Sequence, residues 1–142
     1  TKQIVMNNLD NKILIFTGAN EFTDTICSAI KPLALSYHSK IGKKARTAAI
    51  EKFKNGEISV LCSTKALNQG FDVEDANMGI LCGITSKSLS MIQRVGRLLR
   101  FQENKVGKII ILYVKDSQEE KWLKNAVKTL DNVNWVSGIS DL

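Results

Sequence analysis

The sequence predicts an α/β fold built on a mainly parallel sheet with helices on both faces. Short apolar runs alternate along the whole chain with segments whose apolar residues recur every three to four positions. The runs are continuously apolar rather than alternating, as strands covered on both faces are. Only one proline and nine glycines occur in 142 residues, and no stretch is of low complexity, so a single domain with short connections is expected.

Ile13 to Thr17 reads as the first strand. Asn20 is placed to cap a helix whose inner stripe is Phe22, Ile26, Ala29 and Ile30, closed by Pro32. Leu33 to Tyr37 follows as a strand. Ala45, Ala49, Ile50 and Phe53 then fall at helical spacing, and Asn55-Gly56 supplies a left-handed stop. Ile58 to Ser63 and Met78 to Cys82 are the third and fourth strands, with a short helix or loop over Leu67 to Asp72 between them. A helix from Ser88 to Arg100 precedes a buried, Ile-rich fifth strand, Lys108 to Val114. Ser117 with Glu120 three residues on forms a capping box, opening a helix with Leu123, Ala126, Val127 and Leu130 inward. Residues 132–142, with Trp135 and Val136, form either an extra strand or a docking tail, and residues 1–11 the end of a preceding helix or linker. The domain proper spans 12–131. A first residue of Thr suggests a processed chain or an excised piece of a longer one.

Composition narrows the chemistry. Apolar runs of about five residues are far below the roughly 20 that cross a bilayer, so no membrane partner is expected. Cys27, Cys62 and Cys82 are odd in number and widely spaced among apolar residues, which suits small buried side chains in a reducing compartment better than disulfides or a zinc site. His38 is the only histidine, so a metal site with two imidazoles is excluded and no metal is assigned. The net charge of +6 is concentrated between His38 and Arg100, where 11 Lys/Arg face 5 acids. That stretch suits a polyanion, with a solvated lysine-rich face as the plain alternative.

The helix from Ser88 carries the strongest signal. At 100° per residue, Gln93, Arg97 and Arg100 share a stripe about 60° wide, opposite Met91, Val95, Leu98 and Leu99. Guanidiniums one turn apart repel unless an anion lies between them, and their planar forks match phosphate oxygens. Cations complementing the helix macrodipole would account for one arginine, but not for the glutamine beside it.

Gln93-Arg94-Val95-Gly96-Arg97-Leu98-Leu99-Arg100 resembles motif six of superfamily-two helicases. Lys12 to Gly18 resembles motif four of that family and Ser63 to Val73 its motif five; Arg46, Phe53 and Gly56 match the stretch between them. The resemblance covers about residues 10 to 115. Gln93 in place of a histidine, and the short Gly83 to Ser90 connection, are most similar to XPB-type DNA-repair helicases and their phage and restriction-enzyme relatives. No Gly-x-x-x-x-Gly-Lys-Ser/Thr phosphate loop and no strand-end Asp-Glu pair is present.

The resemblance implies a second, C-terminal RecA-like domain of three layers. Its N-terminal partner domain would carry the phosphate cradle and the magnesium ligands. Arg97 and Arg100 would then be arginine fingers for ATP in the cleft between the domains, with Gln93, Gly70 and Asp72 as further nucleotide contacts. Thr17, Gly18, Thr64, Lys65 and His38 would line the path of single-stranded or branched DNA. ATP and Mg2+ are implied for the complete enzyme, whereas this chain alone should not hydrolyse ATP. The expected location is cytoplasmic and nucleoid-associated, host cytoplasm for a phage protein, or nuclear for a eukaryotic one. The readings from other classes are a free-standing nucleic-acid or protein-binding module with a helicase-like fold, and half of an RNA helicase.

Overall fold

A computed structural model describes residues 1–64, 76–99 and 107–142. Among them the elements run α1 (Lys2–Met6), β1 (Ile13–Thr17), α2 (Asn20–Ile30), β2 (Ala34–Tyr37), α3 (Lys43–Lys54), β3 (Val60–Thr64), β4 (Met78–Cys82), α4 (Ser88–Leu99), β5 (Lys108–Leu112) and α5 (Gln118–Ala126). The expected helix or loop over Leu67 to Asp72, and Arg100, lie outside the described residues.

The five strands form one sheet in the order β2-β3-β1-β4-β5, and every pairing is parallel. Parallel neighbours need crossovers, and the intervening helices supply them on both faces. Leu14, Phe16, Leu61 and Leu81 point to one side, where they pack with Phe53 of α3, Ile92, Val95 and Leu99 of α4, and Leu123 of α5. Ile13, Ile15, Val60, Cys62 and Ile80 point to the other, against Ile4 and Val5 of α1 and Ile26, Cys27 and Ile30 of α2. β1, β3 and β4 are buried at every position, as their continuous apolar sequence requires.

Three expectations change. The fifth strand is not fully buried: β5 lies at an edge, and only Ile110 of its five residues is enclosed. Asn20 does not cap α2, whose N-cap is Ala19. The inner stripe of α2 is also rotated. Thr23, Ile26, Cys27 and Ile30 are buried, while Phe22 is 46% exposed and Ala29 is outside.

The other stops and starts follow local chemistry. α3 ends at Asn55, and Gly56 takes φ +77°, a left-handed conformation that glycine adopts without a Cβ penalty. At α5, the Ser117 hydroxyl accepts from the Glu119 amide, and Glu120 reaches back to the amide of Asp116, one residue short of the reciprocal bond in a full capping box. The tail docks without joining the sheet. Trp135 meets Tyr113 edge-on at 5.7 Å, Ile139 packs against the cluster that includes Ile110, and the Leu142 carbonyl accepts from Lys108 Nζ, so the segment touches both ends of β5.

Candidate nucleotide and nucleic-acid sites

α4 is fixed to the sheet by a buried stripe of Ser88, Ile92, Val95 and Leu99, with Met91 and Leu98 half-buried at its flanks. Ile92 joins this stripe in addition to the residues expected there from the sequence. The approach of α4 to β4 is close because Gly79 has no side chain: a Cβ there would stand 2.8 Å from Val95 Cγ1. The entry of α4 is held by the Ser88 hydroxyl, which accepts from the Thr85 amide at 2.7 Å. Glu119 ties this loop to the next one, accepting from the amides of Ile84 and Val114. No pattern in the sequence marks Glu119, since its role depends on two loops distant along the chain.

The opposite face of α4 carries Gln93, Arg94 and Arg97, all exposed. Gln93 and Arg97 stand one turn apart, as their spacing requires. Among the described residues no acid forms an ion pair with Arg97. An exposed guanidinium facing away from the core, next to an amide that can both donate and accept, is suited to an anionic oxygen arriving from outside the domain. Gly96, half-buried between them, faces β5: an added Cβ would meet Ile109 at 3.9 Å, an ordinary contact distance. Arg100, Gly70 and Asp72 lie outside the described residues.

A second group gathers at the carboxyl ends of the strands, where open parallel sheets present ligand sites. Thr17 of β1 and Thr64 of β3 are register partners, so the two positions lie side by side. Gly18 follows Thr17 and is exposed, and a Cβ added to it would meet nothing within 4 Å. The threonine hydroxyls are engaged internally. Thr64 Oγ1 donates to Asn20 Oδ1 at 2.8 Å, whereas Thr17 Oγ1 meets Thr23 Oγ1 at 2.5 Å and both reach the Ala19 carbonyl. Two hydroxyl protons thus serve three close oxygen pairs, which locks the first turn of α2 against the strand ends. Lys65 lies outside the described residues.

His38 stands at the end of β2 in the same row, but it is only 2% exposed. Its Nε2 bonds Asp24 Oδ1 at 3.0 Å, joining the loop after β2 to α2, and Nδ1 is buried with no partner among the described residues. The His38 hydrogen bond holds the Asp24 carboxyl below the usual carboxylate range, helped by Ser36 and by the charge of Lys40. Arg46 is half-buried on α3, with Nε lacking a hydrogen-bond partner among the described residues. The three cysteines are buried as free thiols. Hydrogen bonding with Cys27 and burial both push the Cys62 thiol up, and burial pushes up that of Cys82. No group of three or more His, Cys, Asp or Glu among the described residues is arranged to hold a metal ion.

Residues 1–102 match the model of the helicase conserved C-terminal domain. The mitochondrial ATP-dependent RNA helicase MSS116 of Saccharomyces cerevisiae is 30% identical over 122 residues, covering 81% of this chain and 18% of that protein. The DNA 3'-5' translocase XPB2 of Sulfurisphaera tokodaii is 26% identical over 118 residues, covering 83% of this chain and 26% of that protein. Among solved structures, Mss116p DEAD-box helicase domain 2 bound to an RNA duplex superposes with a TM-score of 0.72 at 27% identity, over 93% of this chain and 52% of that one. The chain spans about a fifth of the length of the curated relatives it matches. With Gln93 and Arg97 of motif six exposed on α4 and motif four, Lys12 to Gly18, running along β1, the chain belongs to the helicase conserved C-terminal domain family, the RecA-like second half of superfamily-two helicases.

Proposed function

We propose that this chain is the C-terminal motor domain of an ATP-dependent DNA helicase or translocase. The observation that carries the reading is the solvent face of α4, where Gln93 and Arg97 stand together and Arg97 has no acidic partner among the described residues. ATP and Mg2+ bound by an N-terminal RecA-like domain would supply the transferable phosphoryl group across the cleft. Arg97, with Arg100 three residues on, balances the negative charge that develops on that group. Gln93 positions the nucleotide beside them, and Gly70 and Asp72 approach its sugar. Because α4 is anchored on the sheet through Val95 against Gly79, closure of the cleft and movement of the strand-end row are mechanically linked.

In that row, Gly18 and the backbone at Thr17, Thr64 and Lys65 contact phosphates without reading bases, as a translocating motor requires. His38, buried at the end of β2, ties the loop after that strand to α2 through Asp24. DNA is favoured by Gln93 at the head of motif six and by the likeness to XPB2. The higher identity to MSS116 and the overlay on Mss116p domain 2 favour RNA as the second reading.

The test is ATP hydrolysis by a parent protein containing both RecA-like halves, measured without nucleic acid, with single-stranded and forked DNA, and with RNA. Stimulation by DNA above RNA is expected, together with no turnover by the isolated chain. Stimulation by RNA alone would assign the second reading. Turnover by the isolated chain, or none by the two-domain parent, would defeat the motor reading.

A further inference from the structure

We infer that Phe22 is a stacking platform for one base of the nucleic-acid strand whose backbone is held at Gly18 and Thr64. The inference rests on the nucleic-acid reading above and adds a contact that the motifs do not include. By apolar periodicity Phe22 belongs inside, with Ile26 and Ile30. The structure gives the inner place to Thr23, a polar residue that is 0% exposed, and leaves Phe22 46% exposed.

The cause is the set of polar pins on the first turn of α2. Thr23 is tied to Thr17 and to the Ala19 carbonyl, and Asn20 to Thr64, so the rotation of the helix is set by hydroxyls at the strand ends instead of by its largest apolar side chain. A phenylalanine left in water forgoes the stabilisation that burial gives an aromatic ring.

Position points to the occupant. Phe22 is three residues past the N-cap Ala19, about 4.5 Å along the helix axis at 1.5 Å per residue. Phe22 therefore lies on the first turn of α2, the end of the helix that adjoins Gly18 and the strand ends. Gly18, four residues before Phe22, is exposed, and a Cβ added to it would meet nothing within 4 Å, so a backbone can approach it closely. A strand with its backbone at Gly18 passes this turn, where the exposed ring of Phe22 is the apolar surface open to a base. An aromatic face accepts any base, so the contact adds affinity without demanding a sequence.

The experiment uses the 142-residue chain and a fluorescently labelled single strand of about ten thymidines, intact or with one abasic site moved along it. Wild type is compared with Phe22→Ala, Phe22→Leu and Phe22→Trp. Phe22→Ala and Phe22→Leu should weaken binding roughly 5- to 100-fold, the range of one base–aromatic stack, while Phe22→Trp keeps the affinity. One abasic position should weaken wild type by a similar factor and Phe22→Ala not at all. The salt dependence should be unchanged, because the phosphate contacts remain.

Salt-dependent binding with equal affinity for wild type and Phe22→Ala, or additive losses from ring and base, would overturn the stacking inference alone. Failure of wild type to bind either strand would overturn it together with the nucleic-acid reading. Phe22→Leu and Phe22→Trp keep an apolar side chain at the position, so their contrast decides the question even if Phe22→Ala lowers thermal stability.

Discussion

Gly79→Ala should move α4 by crowding the sheet beneath it. The new Cβ would lie 2.8 Å from Val95 Cγ1 and 3.4 Å from Leu99 Cδ1. Carbon atoms pack at about 3.5 to 4.0 Å, so Val95 must retreat by about 0.7 Å or more. Val95 is 1% exposed and β-branched, a side chain that a helix confines largely to one χ1 rotamer. α4 must therefore lift or tilt. Overpacking of this kind costs about 1 to 3 kcal/mol, partly offset by about 0.5 to 1 kcal/mol from the reduced freedom of the unfolded chain.

A net loss centred on about 1 kcal/mol and at most about 2.5 kcal/mol should lower Tm by roughly 3 to 8 °C in a domain of this size, measured by calorimetry on the chain. In a two-domain parent, ATP turnover should fall at temperatures where the variant is still fully folded, since displacing a positioned group by about 1 Å costs on the order of a hundredfold. Gly96→Ala is the control: it also lies on α4, but its Cβ meets only Ile109, at 3.9 Å, so stability should hold or rise by about 0.5 to 1 kcal/mol. An unchanged Tm for Gly79→Ala, or a fall for Gly96→Ala as large as that of Gly79→Ala, would refute the packing argument.

Two other perturbations have distinct readouts. Because the folded-state pKa of Asp24 lies below its unfolded value, its contribution to stability is present above about pH 4 and is lost as pH falls through the lower folded value. Urea unfolding of Asp24→Asn should therefore show a shallower loss of stability than wild type below about pH 4, and parallel curves would contradict the His38–Asp24 tie. Removal of residues 132–142 takes Trp135 off Tyr113 and the Leu142 carbonyl off Lys108 at the edge strand β5, whose sequence Lys-Ile-Ile-Ile-Leu favours edge-to-edge pairing. The truncated chain should self-associate in light scattering at concentrations where the intact chain does not, and identical masses would show that the tail does not protect the edge.

The sheet was legible because parallel strands covered on both faces need continuous apolar sequence, and Ile13 to Phe16 and Met78 to Cys82 have it. The same rule misled at Lys108 to Leu112, since an apolar run does not reveal whether a strand has one neighbour or two. The solvent face of α4 was legible from spacing alone, because a helix converts sequence distance into angle. α2 was not, because its rotation is decided by Thr17 and Thr64, which lie on two different strands and meet it only after folding. Asn20 shows the same limit. A residue type that caps helices serves instead as an acceptor for a threonine 44 positions away. The buried His38 and its partner Asp24 likewise depend on the contact between α2 and the loop after β2, which no local pattern records.

Substituting Arg97 by alanine in a parent protein with both RecA-like halves tests the motor reading most directly. ATP turnover, nucleotide affinity and Tm are measured on the same preparation. Turnover should fall by roughly 10³ to 10⁵, with nucleotide affinity much less affected, because an arginine finger acts mainly as charge develops in the transition state. Tm should stay close to wild type, since the side chain projects from the exposed face of α4 and its loss opens no cavity. Wild-type turnover by Arg97→Ala would contradict the finger assignment, and a large fall in Tm would make Arg97 a brace at the end of its helix instead.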